Sequence, residues 1–232
     1  EAIEAYNKAI SIRPDYAEAY SNLGIALKGT IFKKPNGALQ KTIISLLDKR
    51  YVRPSEIFTA TISLLKLEPT LQKHLKLGED EIMLNPLGII SDLSELPLLL
   101  KFMSVCPLPD LEIEKLFKNL RRSILKNISS LKDASPEFLG FQSALALQCF
   151  TNEYVYNNTD EEEKALRALE KIVKNDFKSN NQPSAQVILA LASYKSLNQY
   201  EWSNLLLATD DIREVYTRQV EEPNEEEKLK KQ

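Results

Sequence analysis

Glycine occurs only 6 times in 232 residues, well below the roughly 7% of an average protein. It is the residue that takes left-handed backbone without penalty, so this chain has few places for tight hairpin turns or phosphate-wrapping loops. Glycine-rich nucleotide loops, β-propellers and turn-dense sandwiches are therefore disfavoured. Helices separated by proline-marked breaks fit better. Hydrophobic residues at 43% and charged residues at 27% place the chain among globular proteins and not disordered ones. At this length roughly 70% of the unfolded surface can be buried, so a core needs no disulfide or metal staple.

Charge and cysteine content exclude further classes. The net charge of -3 gives no general attraction to nucleic acid or to an anionic membrane surface. Cys106 and Cys149 stand far apart with no CxxC motif, which predicts reduced thiols and a cytoplasmic protein. Apolar runs such as 187–192 fall far short of the ~20 residues of a membrane span. The sequence opens without Met and inside an amphipathic pattern, so a fragment of a longer protein is expected.

Apolar spacing is helical almost throughout. Ala2, Tyr6, Ala9 and Ile10 share one helix face, Pro14 stops that helix, and Asp15 is placed to cap the next. The second helix carries Tyr20, Leu23, Gly24 and Leu27 on one side. A glycine inside a helix costs ~1 kcal/mol against alanine, so close approach of a neighbouring helix backbone is expected at Gly24. Further stripes follow at Leu39, Ile43, Leu46 and Leu47, then at Ile57, Thr61, Leu64 and Leu65. Short pieces fill 70–92, and a very apolar helix runs from Leu96 to Val105. Asp110 caps a long helix bearing Leu116, Leu120, Ile124 and Ile128. Ser135-Pro136 opens a helix to about Tyr156, Thr159 to Glu162 reads as a capping box, and Pro183 opens a helix to Leu197. No segment alternates as a strand does. The predicted fold class is all-α.

Chemistry-bearing residues are sparse, and no catalytic, cofactor-binding or metal-binding residue is assigned. Gly24 and Gly29 have the gap of a phosphate loop, but Thr30-Ile31 follows where Lys and Ser or Thr are needed. His74 is the single histidine, has no second ligand at metal spacing, and reads as a surface residue. Cys149, within an apolar helical stretch, reads as an inert core thiol. Lys115, Lys118, Arg122 and Lys126 form a solvated face. The most suggestive polar set is Gln148, Asn152 and Glu153. They either satisfy backbone groups where helices cross, the favoured reading, or line a small-molecule pocket between helices, as an enzyme in its own right would require. The stretch from Glu221 to Gln232 is charged throughout and is expected to fray.

The first 30 residues resemble tetratricopeptide repeats, whose helix pairs recur every 34 residues. Ala2, Tyr6, Ala9 and Pro14 match the second helix and closing proline of one repeat, and Tyr20, Leu23, Gly24 and Leu27 match the first helix of the next. The pattern is lost at Asn36-Gly37. A repeat cannot bury its face alone, so upstream repeats are expected, with Tyr6 and Ile10 partly bare without them. The resemblance implies a protein- or peptide-binding surface in which Asn22 grips peptide backbone and Ser21, Ile25 and Lys28 share or border the groove. Residues 138–155 and 213–223, with 96–100 and 116–122, look like a bacterial family in which such repeats and a helical region precede a class I S-adenosylmethionine-dependent methyltransferase domain. That likeness implies a catalytic domain in cis beyond residue 232, with no cofactor residue in this stretch. The expected organisation is a tetratricopeptide remnant over 1–33, an all-helical scaffold domain over 34–220, and a charged linker over 221–232.

Overall fold

The computed structural model describes residues 1–130 and 134–230. It is all-α, with no strand among the described residues. Helices α1 (Ala2–Ile12) and α2 (Ala17–Leu27) form a hairpin. Pro14 lies in the turn, as expected, but Asp15 does not cap α2. The helix begins at Ala17 with Tyr16 as N-cap, which places Asp15 one residue too early to reach the free N–H groups. Asp15 pairs with Arg13 instead, at 3.3 Å. The expectation for Gly24 also needs correction. A Cβ there would lie 3.3 Å from the Val52 side chain, so a loop valine, and not a helix backbone, occupies the space.

Asn36 caps α3 (Gly37–Asp48), accepting from the Leu39 N–H at 3.0 Å. A 3₁₀ turn at Pro54–Ile57 leads into α4 (Phe58–Leu65), followed by the short helices α5 (Pro69–Leu75), α6 (Glu79–Leu84) and α7 (Pro86–Ser94). Next come α8 (Pro97–Val105), α9 (Leu111–Asn127) and α10 (Pro136–Thr151). Asp110 caps α9 through the Ile113 N–H, and Ser135 caps α10 through the Phe138 N–H. The capping box at Thr159 and Glu162 opens α11 (Asp160–Lys178) as the sequence predicts. Ser184, not Pro183, caps α12 (Ala185–Ala192), which stops five residues short of Leu197.

Helix α10 is the centre of the structure and packs on α7, α8 and α12. Its buried residues include the consecutive run from Ala144 to Cys149, so its C-terminal half is enclosed on all sides, while Pro136 and Gly140 are exposed and Leu139 and Ser143 half-buried nearer its start. Burying a side chain such as Phe141 or Leu145 contributes ~1.5–3 kcal/mol. By contrast α11 buries only Glu162, Leu169 and Val173 and forms an outer layer. Tyr20, Leu23 and Leu27 of the hairpin belong to the same contiguous core as α10. Ile10, expected to be partly bare, is buried, whereas Tyr6 is half-buried.

Among the described residues three helices end in the Schellman arrangement, and none of the three uses glycine. After α3 the N–H of Tyr51 reaches the Leu46 carbonyl at 3.2 Å, with Arg50 left-handed at φ 56°. After α10 the N–H of Tyr154 reaches Cys149 at 2.8 Å, with Glu153 at φ 52°, and after α11 that of Asn181 reaches Asp176 at 2.9 Å, with Asn180 at φ 57°. This closure satisfies carbonyls that a helix end leaves orphaned. It also explains why α10 stops at Thr151 and not near Tyr156.

The chain then runs through 3₁₀ turns at Leu197–Gln199, Ser203–Leu205 and Asp210–Ile212 into α13 (Arg213–Tyr216). A π turn at Thr217–Glu221 joins α13 to α14 (Glu222–Leu229). The charged stretch expected to fray is thus helical through Leu229, with Pro223 in its first turn, where a missing N–H costs nothing. Its last two residues lie outside the described residues.

Candidate functional site

The repeat-end residues sit on α2. Ser21 and Ile25 are exposed one turn apart, and Asn22 is half-buried beside them. Lys28, exposed just after the end of α2, pairs with Glu56 at 3.0 Å; that hydrogen bond holds the Glu56 carboxyl below its ordinary pKa. Two more contacts tie α2 to the same loop. Tyr20 stacks on Tyr51 with ring centroids 5.2 Å apart, and Gly24 leaves room for Val52.

Tyr51, Val52 and Glu56 also form one wall of a groove of ≈ 790 Å³, whose other wall is Glu214, Thr217 and Arg218. The π turn shapes that second wall. Gln219 is fully buried within it, donating to the Ala192 carbonyl at 3.2 Å and the Ala146 carbonyl at 3.4 Å, and accepting from the Leu197 N–H at 3.1 Å. With Gln219 committed inward, Thr217 and Arg218 face the groove, and Arg218 also donates to the Ser104 carbonyl at 3.3 Å. Such widened turns recur at functional sites. Lys101, paired with Asp48 at 2.6 Å, and Glu214 line both this groove and a second one of ≈ 510 Å³ between α8 and α10.

Gln148 is fully buried. With its amide turned to satisfy both ends, it donates to the Met103 and Cys106 carbonyls at 3.2 and 3.0 Å and accepts from the Leu108 N–H at 3.0 Å. It thereby holds the turn between α8 and α9. Asn152 is the C-cap residue of α10, and Glu153 is the exposed left-handed residue after it. The structure brings the three together as the end of one helix.

Arg121, not among the candidate residues that the sequence offers, is 1% exposed. It follows Leu120 and stands four residues after Phe117, inside the apolar face of α9, and that position was the available signal. Its guanidinium carbon lies 3.9 Å over the Tyr194 ring, and its Nη2 donates to Asn158 Oδ1 at 3.0 Å. Fully buried Glu162 stands 3.9 Å from Arg121 and 3.5 Å from Arg122. It accepts from the Tyr194 hydroxyl at 2.7 Å and from the Thr159 N–H at 2.9 Å. Burial pushes the Glu162 carboxyl upward, but Thr159, Tyr194 and Arg121 outweigh it and hold the pKa below the ordinary glutamate value. Arg122, read as solvated, is engaged with Glu79 and Glu162, and Lys126 pairs with Glu161 at 2.8 Å. These pairs tie α9 to α6 and α11.

His74 is a correction: it is buried, with Nε2 2.8 Å from Asp92 Oδ2. It lies three residues after Leu71, on the inward side of α5. Cys149 is buried as expected, and burial pushes both its thiol and that of Cys106 up to about 11. Among the described residues no group of three or more His, Cys, Asp or Glu is arranged to hold a metal ion, and no helix is long and apolar enough to cross a membrane.

A TPR repeat family model matches residues 1–30, the segment that forms the α1–α2 hairpin. Repeats of this class build scaffolds for protein–protein interaction. No curated protein and no solved structure matches the chain.

Proposed function

We propose that the chain is a non-catalytic helical scaffold of a larger cytoplasmic protein. In this reading it binds a protein or peptide at its repeat end and positions a bacterial-type S-adenosylmethionine-dependent methyltransferase domain in cis. The observation that carries the scaffold reading is the tetratricopeptide match over residues 1–30 on a hairpin that leaves Ser21 and Ile25 exposed. The methyltransferase part is supported by the likeness of residues 138–155 and 213–223 to the helical region of that family. In this reading the tetratricopeptide remnant covers 1–33, the helical scaffold domain 34–220 and the charged linker 221–232.

Peptides selected on the folded chain should lose at least fivefold in affinity on combined Asn22→Ala and Ile25→Glu substitution. Unchanged binding would remove the repeat surface from the proposal. Calorimetric titration with S-adenosylmethionine should give no heat of binding with residues 1–232, and saturable binding with a parent chain longer by one domain (~150–250 residues). Binding by the short chain would overturn the division of labour.

A further inference from the structure

We infer that the groove between α8 and α10 is a docking site for a basic amphipathic helix of a partner protein, on a surface separate from the repeat end. Its walls are two helix faces. One runs from Pro97 to Ser104 and the other from Pro136 to Leu147, each at i, i+3, i+4, i+7 spacing. Two such ridges leave a trough that a third helix fills by the same ridge-into-groove packing that joins helices elsewhere. The longer face spans about 16 Å at the helical rise of ~1.5 Å per residue, which is three turns of an occupant.

The floor is apolar, with half-buried Leu100 and Leu139 facing the trough. The rim is acidic. Asp210, Asp211 and Glu214 line it from the 3₁₀ turn and α13, and none of the three has an ion-pair partner among the described residues. Lys101, the one cation among the lining residues, is held by Asp48 at 2.6 Å. Arg213, between the carboxylates in sequence, does not line the trough. An apolar floor beside three unneutralised carboxylates selects a helix with aliphatic residues on one face and lysine or arginine at its edge.

The test is fluorescence anisotropy with a labelled 14-residue peptide of leucine and lysine at helical spacing, and the same pattern with glutamate for lysine. The lysine peptide should bind saturably, at least tenfold more tightly than the glutamate peptide. Asp210→Asn, Asp211→Asn and Glu214→Gln together should weaken it at least tenfold, and neutralising the remote Glu18, Asp80 and Glu201 should not. Gly140→Leu fills the trough without changing charge. A Cβ there meets nothing within 4 Å and the change favours helix, so the variant folds, and it should weaken binding at least fivefold. Absence of saturable binding, equal affinity for the two peptides, unchanged binding by either groove variant, or an equal loss in the remote variant would each overturn the inference.

Discussion

Truncating the two partners of the buried pair on α9 and α11 should have very unequal consequences. Glu162→Ala leaves the Arg121 guanidinium 1% exposed, with its Nε already lacking a hydrogen-bond partner and no carboxylate within 4 Å. Stranding a buried charge in this way costs about 3–5 kcal/mol. Arg121→Met removes the charge and keeps most of the volume. Glu162 then still accepts from Tyr194 and Thr159 and still faces Arg122 at 3.5 Å. The loss is two cation–π contacts, to Tyr194 at 3.9 Å and Tyr156 at 5.3 Å, about 0.5–2 kcal/mol each, and three hydrogen bonds, two of them 3.4 Å long. Relief of the desolvation penalty of the buried guanidinium offsets much of this, leaving an expected net cost of about 1–2 kcal/mol. The assay is urea unfolding followed by far-ultraviolet circular dichroism and by fluorescence of Trp202, the only tryptophan, which is buried. The pair also makes stability pH-dependent. Glu162 is held below its unfolded pKa, so its contribution is fully present above pH 4.5 and is lost as pH falls through the folded value. Glu162→Gln should flatten that acid limb. A Glu162→Ala cost under about 1 kcal/mol, or an Arg121→Met cost exceeding it, would refute the account of a stranded charge.

Glycine at either exposed left-handed cap, Arg50→Gly or Glu153→Gly, should raise stability by about 0.5–1 kcal/mol in the same unfolding assay, because each residue holds a backbone geometry that costs L-side chains. Cys106 and Cys149, both buried with pKa values of about 11, should resist alkylation at pH 8 until the chain unfolds. Because the native state keeps thiol protons that the unfolded state releases, stability should also fall as pH rises from about 9 to about 11.

What the sequence disclosed was periodicity and helix starts. The Asp110, Ser135 and Thr159 caps all fall where the residue types place them, since a side-chain oxygen beside free N–H groups is a local signal. Helix ends were less visible. Arg50, Glu153 and Asn180 take the left-handed position that glycine ordinarily marks, so the end of α10 carries no glycine signal and lies about five residues before the expected one; α12 also ends five residues early, at right-handed Ser193. Residues 1–30 were recognisable because eight spaced positions agree in phase. His74 reads as a surface residue by type, yet its place three residues after Leu71 on the inward side of α5 buries it; Arg121 is unmarked by type for the same reason. The grooves had no sequence signature at all: Leu100, Gly140 and Asp210 converge from three distant segments. Only packing brings them together.

The long reach of the π turn has a consequence for the order in which the molecule is made. Arg218 bonds to Ser104 across 114 residues, and Gln219 to Ala146 across 73. At a synthesis rate of roughly 5–20 residues per second, roughly 6–23 seconds separate the appearance of Ser104 from that of Arg218. Through that interval α8, and then α10, stand without the last segment that will cover them. The enclosed state of the central helix is therefore reached only as the final residues of the stretch emerge, and a ribosome-bound chain ending near residue 210 should expose the apolar faces of α10 and α12 to chaperones.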